Sequence, residues 1–153
     1  MYSQKTQYAL KALVLLTDHQ QNNDHPMPIL ELSRKGNFPQ KFLEAILLEL
    51  KNIGILKSKK GKGGGYLLAK PAADISVGEI VRNLEGPLAL IPCVSQKFYK
   101  RCNNCPPASE CGLHVLYKEV RDATSAILDA TSFQKVCTVQ KELKSHKNEM
   151  YFI

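Results

Sequence analysis

Apolar residues recur at helical intervals through the first fifty positions. Tyr8, Ala9, Ala12, Leu13 and Leu16 share one face of a helix that Ser3 can cap and that runs to about His19. The polar stretch Gln20 to His25, ending at Pro26, predicts a loop. A short second helix fits Pro28 to Lys35, with proline in its first turn and Gly36 just past its end. Asn37-Phe38-Pro39 then leads into a third helix that reaches about Asn52 and is closed by Gly54. Its apolar residues Phe42, Leu43, Ile46, Leu47, Leu50 and Ile53 fall within an arc of roughly 140° at ~100° per residue. Gln40, Lys41, Glu44, Leu48 and Lys51 occupy the opposite face.

Beyond Gly54 the pattern shortens. Ile55 to Lys59 and Tyr66 to Lys70 predict two short strands around a glycine loop, a β-hairpin. Helix, tight turn, helix and hairpin is the order of a winged helix-turn-helix. Ser76-Val77-Gly78-Glu79 is a capping box for a helix that stops at Gly86-Pro87. From about Pro92 to Gly112, Asn103-Asn104 and Pro106-Pro107 predict a loop. Leu113, Leu116, Val120, Ala123, Ile127 and Ala130 then recur alternately three and four apart, the seam of a pairing helix. Thr131-Ser132-Phe133-Gln134 is a second capping box, which ends that helix and starts a last one. The tail Tyr151-Phe152-Ile153 is apolar and has no assigned role. The expected class is mainly α with a small β-hairpin wing. The expected units are a winged helix-turn-helix domain over residues 1–86, a cysteine-rich cofactor loop over 87–112, and a dimerisation helix with a C-terminal helix over 113–153.

Composition narrows the partner. The 153 residues carry a net charge of +7. Residues 1–70 hold eleven lysines and arginines against five acids, and residues 71–153 hold ten against nine. The positive excess therefore sits where the hairpin is, and a polyanion should dock there. The start has no basic-then-apolar layout of a signal peptide, and the longest apolar run, Ala12 to Leu16, is too short to span a bilayer. These features predict a cytoplasmic protein with no membrane partner, whose thiols stay reduced.

Two segments carry candidate chemistry. Gln40, Lys41 and Glu44, in the first turns of the third helix, are residue types that bond base edges in the major groove. Lys51, Lys57, Lys59, Lys60 and Lys62 supply charge, while Gly61, Gly63 and Gly64 let the wing approach DNA closely. Tyr8 joins this set. The second segment reads C-x8-C-x2-C-x5-C-x2-H, from Cys93 through Cys102, Cys105 and Cys111 to His114. Thiolates so spaced suit an iron–sulfur cluster; structural zinc, a Cys102/Cys105 thiol switch and plain free thiols are the alternatives. Cys137, beside Val136 and Val139, reads as a small core residue. His19, His25 and His146 read as solvent-facing. No paired carboxylates, Ser/His/Asp set or nucleotide loop stands in a context for catalysis, and crowding of the thiols favours ligation over a Cys111/His114 nucleophile. The expectation is no enzyme.

The Tyr8-Ala9-Leu10 start, the Phe42-Leu43-Glu44-Ala45-Ile46-Leu47 helix, the wing Lys60-Gly61-Lys62-Gly63-Gly64-Gly65-Tyr66-Leu67-Leu68-Ala69 and Leu84-Glu85-Gly86-Pro87 resemble winged-helix regulators of the IscR, NsrR and CymR type. The resemblance covers almost the whole chain. It implies a bacterial, homodimeric transcription factor on a palindromic double-stranded DNA operator, with a 2Fe–2S or 4Fe–4S cluster in many members. By position, Glu44 matches a residue that tunes sequence choice. Lys60 matches an arginine that reaches into the minor groove, so the charge is kept and the planar fork is lost. Cys105, Cys111 and His114 match the iron–sulfur-assembly regulator, and Cys93 matches its first ligand. The spacing departs: eleven residues separate Cys93 from Cys105 where that regulator has five, with Cys102 added inside. The fourth ligand is then either Cys102 or His114. The dimer interface falls to Leu113, Leu116, Val120, Ala123 and Ile127.

Overall fold

Ser3 opens the first helix, its hydroxyl accepting from the Thr6 amide at 3.3 Å. The computed structural model describes residues 1–149, and Tyr151-Phe152-Ile153 lies outside them. Helix α1 spans Gln4–Asn22, so it continues through residues that the polar pattern assigned to a loop. Those residues are satisfied within the fold. Gln20 Oε1 accepts from the Leu68 amide at 2.6 Å, and the Asn22 side chain donates to the Asp18 carbonyl at 2.8 Å.

Helix α2 spans Ile29–Gly36. Its left-handed C-cap is Asn37 (φ 51°), one residue beyond the expected glycine. Asparagine tolerates this conformation. Gly36 serves space instead: a Cβ there would stand 2.0 Å from the Phe38 ring, which is buried. Helix α3 spans Gln40–Asn52 and buries Leu43, Ile46, Leu47 and Leu50. Phe42 and Ile53, at the edges of the apolar arc, are exposed, contrary to their expected place in the core. An arc of that width exceeds the stripe a short helix can cover with neighbours on one side only.

The wing consists of β1 (Leu56–Lys59) and β2 (Gly65–Leu68), antiparallel, with Leu56 opposite Leu68 and Lys59 opposite Gly65. The strands are shorter than the apolar pattern suggested. A third segment joins them, as Met27 and Tyr66 exchange backbone hydrogen bonds of 3.0 and 2.9 Å. Any side chain at Gly65 would strike the Met27 carbonyl, 2.2 Å from the Cβ position.

Helix α4 spans Val77–Glu85 and is capped by the Ser76 hydroxyl, which accepts from the Glu79 amide at 3.0 Å. The Glu79 carboxylate turns to Lys70 at 2.9 Å. Gly86 (φ 94°) ends the helix. Glu85 accepts from the Ser3 amide at 2.6 Å and from its hydroxyl at 2.5 Å, which ties the end of α4 to the start of α1. The segment to Cys111 is loop apart from short turns at Pro92–Val94 and Ala108–Glu110.

Helix α5 spans Gly112–Asp129 and buries none of its residues. Helix α6 (Phe133–Glu149) starts at Ser132, whose hydroxyl accepts from the Lys135 amide at 3.2 Å. Thr131, the expected cap, donates its hydroxyl to the Ile127 carbonyl at 2.7 Å. α6 packs along α1, and Lys141 pairs with Asp18 at 3.0 Å. The core gathers Leu13, Leu16, Leu32, Leu47, Leu50 and Phe133 around α1. Cys137 is buried, as its apolar neighbours suggested. His19, by contrast, is buried rather than solvent-facing: its Nε2 lies 2.9 Å from the His25 carbonyl, and the two rings sit edge to face. No helix among the described residues is long and apolar enough to cross a membrane.

Phe133 is 1% exposed although it belongs to the last helix. Phe133→Ala should therefore destabilise the protein by about 3–5 kcal/mol, read as a lower denaturant midpoint. A loss below about 1 kcal/mol, the range of ordinary surface changes, would contradict the packing of α6 on the core.

Candidate nucleic-acid interface and thiol cavity

The start of α3 follows from Pro39, whose backbone is extended and whose side chain offers no cap. Gln40, Lys41 and Glu44, in the first turns of α3, are all exposed. The Gln40 amide donates to Glu44 Oε1 at 3.1 Å, so the two side chains orient each other one turn apart. Lys51 is exposed on the same helix. Tyr8 is half-buried from α1, its ring 5.2 Å from Phe38 and 5.7 Å from Phe42, and its hydroxyl takes a bond from Gln4 at 3.1 Å. Phe42 thus covers Tyr8 instead of filling the core.

In the wing, Gly61 (φ 88°) and Gly63 (φ 73°) hold left-handed conformations that favour glycine. Gly64 has a different reason: a Cβ there would lie 2.3 Å from the Lys59 carbonyl. Lys57, Lys59, Lys60 and Lys62 are all exposed. Among the described residues no ion pair involves them, nor Lys41 or Lys51. A cluster of cations left without carboxylates on a glycine turn is an arrangement suited to phosphates.

The cysteine segment folds around a cavity of about 380 Å³. Its walls bring together all five candidate ligands, Cys93, Cys102, Cys105, Cys111 and His114. Cys102 stands in the same wall as Cys93 and Cys105, close enough to act on both thiols. Burial, then the Cys102 hydrogen bond and charge, pushes the Cys93 thiol up from its ordinary value. Cys105 is raised first by its hydrogen bond to Cys102. Soft donors converging on a space of this size fit an iron–sulfur cluster. Among the described residues, no three or more His, Cys, Asp or Glu side chains are arranged to hold a single metal ion.

Tyr99, Arg101, Pro106 and Pro107 complete the walls. Pro106-Pro107 mark the loop in the sequence, whereas Tyr99 and Arg101 carry no such signal, because a cavity built from irregular loop has no period to reveal its lining. Cys111 stands at the N-cap of α5, so the cavity abuts that helix directly. Along α5 the exposed residues include Leu113 (61%), Leu116 (50%), Val120 and Ile127 (67%), with Ala123 exposed between them. The predicted seam is therefore uncovered by the other described residues.

Comparison with known proteins gives a consistent result. The Rrf2 family model, described as an iron-dependent transcriptional regulator, matches residues 2–139. The Rrf2-like HTH-type transcriptional regulator of Rhodobacter capsulatus is 35% identical over 135 residues, covering 88% of this chain and 90% of that protein. The HTH-type transcriptional regulator IscR of Photorhabdus laumondii is 26% identical over 139 residues, covering 91% and 80%. Among solved structures, CymR, the global cysteine regulator of B. subtilis, superposes with a TM-score of 0.74 at 26% identity, covering 91% of this chain and 97% of that one. IscR of T. potens superposes with a TM-score of 0.72 at 23% identity, covering 94% and 90%, a likeness of fold. These relatives are named as transcriptional regulators, a role without catalysis. With its helix-turn-helix, its wing and a family match spanning most of its length, this chain belongs to the Rrf2 family of transcriptional regulators.

Proposed function

We propose that this chain works as a cytoplasmic homodimer that reads a palindromic operator in double-stranded DNA and senses iron–sulfur, redox or nitric-oxide status through its cysteine loop. The observation that carries the sensor reading is the convergence of Cys93, Cys102, Cys105, Cys111 and His114 on one cavity at the start of α5. A 2Fe–2S or 4Fe–4S cluster held there supplies an oxidisable centre whose presence depends on supply and damage. Cys93, Cys105 and Cys111 are the ligands matched by resemblance. For the fourth we favour Cys102, which would complete an all-thiolate set, over His114, which lines the same cavity. Cys102 and Cys105, close in the chain as C-x2-C and lining one cavity, support a second reading, a reversible thiol switch. Structural zinc on Cys102, Cys105, Cys111 and His114 is the third reading.

On DNA, Gln40, Lys41 and Glu44 address base edges, and Gln40 presets the Glu44 carboxylate. Lys51, Lys57, Lys59, Lys60 and Lys62 neutralise phosphates, while Gly61, Gly63 and Gly64 shape the loop and Tyr8 supports the base of α3. Leu113, Leu116, Val120, Ala123 and Ile127 pair with a second copy, which sets two recognition helices on two half-sites.

Changing Lys59, Lys60 and Lys62 together to alanine should weaken operator binding and reduce the slope of log affinity against log salt by about three. Filter binding at four salt concentrations measures this; an unchanged slope would remove the wing from the interface. Protein purified anaerobically should be coloured and contain iron and acid-labile sulfide, and chelation should bleach it. A colourless protein with one zinc per chain would instead establish the zinc alternative. Within the coloured protein, Cys102→Ser should lose or alter the visible spectrum while His114→Ala retains it. The opposite pattern would give the fourth position to His114.

A further inference from the structure

The cysteine loop is fastened to α5 at two separate points. At one, Cys111 leads straight into the helix, its carbonyl accepting from the Val115 amide at 3.2 Å. At the other, the turn Pro92–Val94, which carries Cys93, lies against the helix. There the Arg121 guanidinium donates through Nη1 to the Val94 carbonyl. Its Nε and Nη2 hold the Asp122 carboxylate at 2.8 and 2.5 Å. The Arg121 side chain is only 13% exposed, whereas Asp122 is 52% exposed.

The turn that Arg121 grips is closed on itself. The Pro92 carbonyl accepts from the Ser95 amide at 3.1 Å and from the Lys100 amide at 3.3 Å. The Ser95 hydroxyl accepts from the Phe98 amide at 3.1 Å, and Val94 and Ser95 are buried. A closed turn moves as a unit, so a displacement of Cys93 carries the Val94 carbonyl with it. Cys111 and Arg121 stand ten positions apart on α5, about 15 Å along its axis. A change in the spacing of Cys93 and Cys111 would therefore reach α5 at both of these points. Farther along, Arg82 of α4 grips Asp129 with two bonds of 2.5 and 2.8 Å, which joins α5 to the DNA-reading half.

We propose that Arg121 is the positioning residue that couples the state of the cysteine loop to the orientation of α5 and so to operator affinity. This rests on the sensor reading above. The planar fork explains why arginine stands here: one face of donors holds Asp122 while the remaining nitrogen reaches a backbone carbonyl, and a lysine cannot do both. Without that bond the Cys93 end of the loop can shift while α5 stays in place.

The test is the ratio of operator affinities between cluster-loaded and cluster-free protein, measured for wild type, Arg121→Gln, Arg121→Lys and Asp122→Asn. Arg121→Gln should bring the ratio close to one, a loss of about tenfold for coupling of ordinary strength, with iron content and visible spectrum unchanged. Arg121→Lys, which keeps a donor for Val94, should fall between, and Asp122→Asn should stay near wild type. In the cluster-free protein, Arg121→Gln should also speed hydrogen exchange at the Val94 to Lys100 amides and leave the wing amides alone. A wild-type ratio in Arg121→Gln, or loss of the cluster or of the folded dimer in that variant, would overturn the coupling role. A ratio of one in the wild-type protein would instead overturn the sensor reading, and the inference with it.

Discussion

Burial of α1 is the constraint on which the other elements depend. Ala9, Ala12, Leu13 and Leu16 are fully buried, and the helix contacts α2, α3, α4, α6 and β2. Two alanines in that face let neighbouring helices approach closely, while the leucines fill the spaces between. Both ends are secured by polar groups. Ser3 and Glu85 fix the start, and the Glu85 carboxyl is held below its usual range first by the Ser3 hydroxyl and then by Thr6. Gln20 fixes the far end to the wing through the Leu68 amide. A single helix thereby sets the positions of recognition helix, wing and C-terminal helix relative to one another.

The cysteine loop is built on a different principle. It has little regular structure and few apolar residues in the core, Val94 being the buried exception. Closed turns and backbone hydrogen bonds shape it. Such a segment responds to chemistry at its sulfurs more readily than a packed helix would, because fewer buried contacts must be broken for it to move. The attachment of both its ends to α5 converts that local freedom into a directed one.

Much of the fold was legible in the sequence wherever one period ruled a segment. The buried positions Leu43, Ile46, Leu47 and Leu50 of α3 follow from spacing alone, as do the exposed seam of α5 and the Ser76 cap. Errors arose where tertiary partners overrode local preference. The α1 extension depends on Gln20 finding the Leu68 amide, a partner 48 residues away. Asn37 replaced glycine at the α2 cap because Gly36 was needed beneath the Phe38 ring. His19 looked solvent-facing because its neighbours are polar, yet the His25 carbonyl gives its ring a partner within the fold. At the candidate site, the cysteines announced themselves by spacing, whereas Tyr99, Arg101 and Arg121 emerge only once the loop is folded.

The wing packs on α1 and α3, while the turn carrying Cys93 packs on α5. Because the two regions draw on separate neighbours, residues of one can be replaced without repacking the other. A lineage could retain Gln40, Lys41 and Glu44 while altering the spacing between Cys93 and Cys105, or keep the loop and change the helix. In this architecture the cysteine loop and the helix-turn-helix are free to diverge at different rates.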